Sequence, residues 1–109
     1  MSRDAFHPAA RLADVPDDGV LRVDVAGTEL LLCRSEGALY AIENTCSHTG
    51  QPLERGLVRD GWIMCPFHGA RFALDSGEVL RSPATCPILT FPLRVRDSVI
   101  EVAVGAGKG

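Results

Sequence analysis

Apolar residues along this chain come in short runs divided by turn signals, and no run sustains the three-to-four-residue period of an amphipathic helix. In GVLRVDVAG (19–27), Val20, Val23 and Val25 are separated by polar or charged partners, as in a half-buried strand. TELLLCRS (28–35) follows across Ala26-Gly27, which reads as a hairpin turn. EGALYAIEN (36–44) starts at a glycine turn, and Leu39, Tyr40 and Ile42 suit a strand. GWIMC (61–65) is a short strand that delivers Cys65. ILTFPLRVRDSVIEVAV (88–104) alternates on two arms and reverses at Asp97-Ser98. Pro92 lies inside the first arm; having no N–H to give a ladder, it confines that segment to an edge or a bulge. This many short strands with Gly and Asp turns predicts an all-β fold, an antiparallel sandwich or barrel. The closing GAGKG reads as a loose tail.

The stretch 44–87 differs in kind, with two of the three histidines and four of the seven prolines. It reads as loops inserted into a β framework. The expected organisation is one domain over residues 1–109, with a base β-sandwich from 1–43 and 86–109 and an inserted subdomain of about 44–85.

Hydrophobic residues make up 46% of the chain, enough for a packed core, which argues against disorder. Aromatics are only 6%, so Val, Leu, Ile and Ala must fill most of that core. The net charge of −3 and the lack of a basic stripe disfavour nucleic acid as a partner. The acid is uneven: residues 1–43 hold eight Asp/Glu against four Arg, whereas 44–82 hold four of each sign. That excess reads as a solvated face or, more sharply, a docking surface. The N-terminus has no apolar h-region of a secretory signal, and no apolar run reaches the roughly 18 residues that span a membrane. The expected location is cytoplasmic, where thiols stay reduced, so four cysteines point to metal or redox chemistry rather than to a disulfide framework.

Cys46-Ser47-His48 and Cys65-Pro66-Phe67-His68 form Cys-x-His, a gap of sixteen residues, then Cys-x-x-His. Each pair can grip a site from one tight turn. Gly50 and Gly69 follow the histidines, where the backbone must bend sharply or approach a bulky group closely. Two inorganic centres use two Cys and two His. One is structural zinc, closed and tetrahedral. The other is a 2Fe–2S cluster with two thiolates on one iron and two imidazoles on the other. Cys-x-His is short for a zinc grip, while two similar loops, each with one Cys and one His, serve two irons symmetrically.

These paired loops resemble the Rieske cluster-binding motif. ALYAIENTCSHTGQPLERGLV (38–58) and CPFHGARFALDSGEVLRSPA (65–84) are similar to the cluster segment of small bacterial Rieske-type ferredoxins, and TFPLRVRDSVIEV (90–102) to their closing hairpin. The likeness covers roughly residues 19–104. It implies a Rieske-type antiparallel β-sandwich or barrel with an inserted cluster-binding subdomain of two loops, and one 2Fe–2S cluster on Cys46, His48, Cys65 and His68. It further implies a soluble, monomeric one-electron carrier that is not itself an enzyme. Its electrons would come from a flavin-dependent NAD(P)H ferredoxin reductase and go to a terminal aromatic-ring-hydroxylating oxygenase, with no membrane or nucleic acid as partner.

The family's high-potential branch has an extra cysteine in each loop, forming a disulfide, and hydroxyl residues two and four positions after the second histidine. Gln51 and Phe67 stand at the first pair of places and Ala70 and Phe72 at the second. Without hydroxyls donating to sulfur the potential is expected near the low end of the Rieske range. The second reading of function is the small Rieske-like subunit of an assimilatory nitrite reductase; a zinc module is the third. A catalytic Rieske oxygenase would need a further 2-His-1-carboxylate site, and only His7 is left over.

Cys33 is expected to be a buried small hydrophobe, Cys86 packing or incidental, and His7 a solvated surface residue. Trp62 and Met64 read first as core and second as partner contacts. Pro83 resembles the proline-bearing loop that covers one side of the cluster in the family. Pro52, Leu53, Pro66 and Phe67 are the candidates for a neutral, partly apolar contact tip.

Overall fold

The computed structural model describes residues 5–46, 50–66, 69–81 and 86–104. Its hairpins reverse through two-residue turns with both central residues at positive φ: Ala26-Gly27 (50°, 83°), Glu36-Gly37 (52°, 80°), Asp60-Gly61 (51°, 82°) and Asp97-Ser98 (53°, 65°). This geometry follows the right-handed twist of the flanking strands. Three of the turns place glycine second, where it carries no Cβ penalty.

Among the described residues, apart from one 3₁₀ turn at Leu12–Asp14, the regular elements are strands. They are β1 (His7–Arg11), β2 (Gly19–Val25), β3 (Thr28–Ser35), β4 (Ala38–Glu43), β5 (Leu57–Arg59), β6 (Trp62–Met64), β7 (Arg71–Ala73), β8 (Val79–Arg81), β9 (Thr90–Phe91), β10 (Leu93–Arg96) and β11 (Val99–Val102). They form three antiparallel sheets in the orders β1-β11-β10, β2-β3-β4-β9 and β5-β6-β7-β8.

The uninterrupted apolar run of β3 has a direct cause. Leu31 and Cys33 pack into one layer with Ile42, Ile63, Phe72 and Leu74. Leu30 and Leu32, on the other face, pack with Val25, Phe91, Ile100 and Val102. The middle sheet is thus buried on both sides, so β3 shows no polar alternation. Each leucine so buried contributes about 1.5–3 kcal/mol of transfer free energy.

Pro92 stands between β9, which pairs with β4, and β10, which pairs with β11. Its missing N–H is therefore placed where the chain leaves the middle sheet, and its carbonyl accepts from Ala103 N–H at 3.0 Å.

The stretch read as inserted loops contains a sheet of its own, β5-β6-β7-β8. Only β6 was legible; β5, β7 and β8 have three residues each, too short for alternation to register. β1 was also unexpected, since HPAAR is exposed or half-buried and gains its place by pairing with β11. Two contacts lock the third sheet to the rest. Ser35 Oγ, fully buried, accepts from Gly61 N–H at 2.9 Å. Gly77, at φ +79°, accepts from Ile88 N–H at 2.9 Å and is so close that a Cβ would lie 2.1 Å from Ile88 O. The tail at 105–109 lies outside the described residues.

Candidate metal centre

The first candidate loop leaves β4 and the second leaves β6, and both are closed by the same backbone device. Cys46 N–H donates to Gln51 O at 2.8 Å, and Gly50 N–H donates to Cys46 O at 2.8 Å. Cys65 N–H donates to Ala70 O at 2.7 Å, and Gly69 N–H donates to Cys65 O at 3.1 Å. Each cysteine thus bonds the residues four and five positions on, although the histidine stands two places after Cys46 and three after Cys65. Gly50 and Gly69 have matching φ values of +74° and +79°. A Cβ at either would meet nothing within 4 Å, so these glycines serve the bend and not a close approach.

Cys46 and Cys65 are 0% and 1% exposed and belong to the same apolar layer, with Leu53, Ile63, Ala70 and Phe72. The crowns of the loops face outward: Gly50, Gln51, Pro52 and Pro66 are exposed. His48 and His68 lie outside the described residues, as do Phe67 and Pro83. The structure therefore brings the two predicted thiol ligands together in one layer and leaves the two imidazoles undescribed. Two buried thiols on matched loops fit a centre that takes one sulfur from each loop.

Several expectations change. Leu53, placed at the contact tip by sequence, is 0% exposed and packs beneath the first loop. Trp62 and Met64 are half-buried, and it is Ile63 between them that enters the core. Trp62 instead carries the guanidinium of Arg71 over its ring, 4.2 Å from the centroid. Cys86 is exposed, so packing is not its role. Cys33 is fully buried and desolvation pushes its thiol up to about 12; His7 is exposed. Ala70 and Phe72 are both fully buried.

Asn44 was missed. It ends β4's exit and is 6% exposed. Its Oδ1 accepts from Leu53 N–H at 2.8 Å, and its Nδ2 donates to Glu29 Oε2 at 2.7 Å and Glu54 Oε1 at 3.0 Å. An Asn two places before a candidate ligand was the only local signal, and its partners are set by tertiary structure.

The fold and these loops define an iron–sulfur protein class. The chain matches the Rieske [2Fe-2S] domain over residues 5–92 and belongs to that family, whose cofactor is one Rieske-type 2Fe–2S cluster. It is 36% identical over 89 residues, 82% of this chain and 86% of the relative, to the ferredoxin component of the naphthalene 1,2-dioxygenase/salicylate 5-hydroxylase systems of a Ralstonia species. It is 38% identical over 95 residues, 86% of this chain and 89% of the relative, to the 3-phenylpropionate/cinnamic acid dioxygenase ferredoxin subunit of Shigella boydii serotype 4. Among solved structures it is similar to the ferredoxin of carbazole 1,9a-dioxygenase from Nocardioides aromaticivorans, with TM-score 0.85, 29% identity and coverage of 91% of this chain and 97% of that one.

Proposed function

We propose that Cys46, His48, Cys65 and His68 hold the cluster, and that the protein is a low-potential one-electron carrier. It takes electrons from a flavin-dependent NAD(P)H ferredoxin reductase and passes them to a terminal aromatic-ring-hydroxylating oxygenase. The observation that carries the ligand assignment is the matched pair of loop frames rooted on two buried cysteines. The ferredoxin relatives carry the assignment to an oxygenase system, and so does a chain of the complex of reduced oxygenase and oxidized ferredoxin in carbazole 1,9a-dioxygenase. That chain has a TM-score of 0.84 at 30% identity and covers 92% of this one.

When bound, the cluster supplies a one-electron couple. The chain's own residues set its surroundings. Leu53, Ile63, Ala70 and Phe72 keep water from the cysteine side. In sequence each histidine falls between its cysteine and the glycine that closes the loop, and Gly50 and Pro66 on the loop crowns are exposed. An electron would leave on the side of those exposed crowns. Ala70 and Phe72 offer no hydroxyl to the sulfurs, which places the potential toward about −150 mV. Residues 1–43 with 86–109 act as the base and 44–85 as the cluster-binding part of one monomeric, cytoplasmic protein. The nitrite reductase subunit is disfavoured, because the ferredoxin relatives are carriers of oxygenase systems.

Electron paramagnetic resonance of the dithionite-reduced protein, beside turnover with the purified reductase and oxygenase, tests both halves. A Rieske spectrum with electron flow through the chain is expected. A colourless zinc protein would overturn the cluster, and a stable complex with a nitrite reductase large subunit the carrier role.

A further inference from the structure

The two loops are built alike but anchored differently. The second is closed at its base by a sheet: β6 and β7 are hydrogen-bonded neighbours, with Met64 opposite Arg71. The first runs from β4 in the middle sheet to β5 in the third sheet, so no strand ladder joins its ends. A side chain stands in that place. Asn44, just before the loop, accepts from the Leu53 N–H and donates to the Glu54 carboxylate, both just after it. Its second N–H goes to Glu29 on β3. Glu29 also accepts from Arg22 Nε at 2.7 Å, and Arg22 Nε is 3.8 Å from Glu54 Oε1. The hydrogen bond from Arg22, then that from Asn44, holds the Glu29 carboxyl below its ordinary range. Both amide hydrogens and the amide oxygen are therefore used, in a setting where an unmet polar group is costly. The network fastens the base of the first loop to the β2–β3 hairpin.

Resting on the assignment of Cys46 and His48 as ligands, we propose that Asn44 is the positioning residue of the first loop. It replaces the missing ladder, and it thereby governs how firmly the cluster is retained and what redox poise it takes. Outer hydrogen bonds that orient metal ligands are typically worth about 10–100-fold in metal affinity, and Asn44 acts one step further out, through the loop.

The test uses the cluster-loaded protein and sets Asn44→Ala against Ser35→Ala. Ser35 is a comparable control, equally buried and capping Gly61 N–H between two sheets, but it does not touch the first loop. Asn44→Ala should release iron to a chelator about 10–100-fold faster, accelerate amide exchange at Leu53 at least tenfold, and move the midpoint potential. Ser35→Ala should do none of these at an equal loss of unfolding stability. Equal release by the two variants at matched stability would overturn the proposal. If Asn44→Ala does not fold, Asn44→Asp serves. It keeps the acceptor for Leu53, loses both donors and sets a carboxylate against Glu54, so it should release iron quickly. Adding Glu54→Gln returns a donor and should slow release again; a single Asn44→Asp variant as retentive as wild type would be decisive against the idea. Failure of the ligand assignment shows separately, as a normal Rieske spectrum in Cys46→Ser.

Discussion

Cys33 and Cys46 are equally sealed from solvent, yet their chemistry is opposite. Cys33 is inside β3, paired on both sides, and burial alone pushes its thiol from 9.0 up to about 12. A raised folded value means the unfolded chain loses its proton first. The thiol's contribution is thus intact below about pH 9 and declines as pH rises toward 12, by about 1.4 kcal/mol per unit while only the unfolded thiol is ionised. Denaturant titrations of wild type and Cys33→Ala at pH 8 and 10.5 should therefore converge as pH rises; parallel losses would show that Cys33 is not the group concerned. Cys46 and Cys65 instead root loops whose backbones are shaped around them. Cys65→Ser or His68→Ala should remove the Rieske paramagnetic signal, and an unaltered signal would reject the assignment. Ala70 and Phe72 belong to the same buried layer as the two cysteines. Ala70→Ser with Phe72→Tyr should raise the midpoint potential by tens of millivolts, where about 59 mV is a tenfold change for one electron. Voltammetry showing no rise would mean those positions do not set the potential.

At the scale of elements, turns decided how much could be read ahead. The turns at Ala26-Gly27, Glu36-Gly37 and Asp97-Ser98 were visible because polar or glycine pairs interrupt apolar runs, whereas the reversal at Asp60-Gly61 was not, because β5 before it was unread. β5, β7 and β8 were not, since three residues cannot show a period and their pairing depends on distant partners. The cysteine loops were legible from spacing, because Cys, His and Gly recur in order. Leu53 misled because an apolar residue beside Pro52 looks the same whether it points out or in; its side chain packs in the buried layer with Cys46 and Ile63 while Asn44 holds its N–H. The positive-φ glycines divide in a way only the structure reveals. Gly37 has open space around a Cβ, so Gly37→Ala should cost only its left-handed strain, about 1–2 kcal/mol. Gly77 has the same conformation plus the Ile88 carbonyl 2.1 Å from that Cβ. Gly77→Ala should cost about 1–3 kcal/mol beyond Gly37→Ala, as overpacking does. Equal midpoints in denaturant would show that the segment at Ile88 yields freely.

Across the whole molecule, one acidic cluster and the cysteine loops lie at opposite ends of β4 and β6. Asp17, Asp18, Glu36 and Asp60, with Arg59, line an open depression of about 500 Å³. β4 runs from the Glu36-Gly37 turn toward Cys46, and β6 from the Asp60-Gly61 turn toward Cys65. At about 3.3 Å per residue those strands separate the acidic end from the loops by roughly 10–20 Å. That is at or beyond the Debye length of about 8 Å at physiological ionic strength. The described exposed residues of the loop crowns, Gly50, Gln51, Pro52 and Pro66, carry no charge. A partner meeting the crowns would form a small, weak contact of the kind redox pairs use, steered little by the −3 net charge. Electron delivery to the oxygenase should then change less than about tenfold between roughly 50 and 500 mM salt, and Asp17→Asn with Asp18→Asn should leave it unaltered. A collapse of about a hundredfold or more over that range, relieved by the double substitution, would move the docking site from the loop crowns to the acidic end.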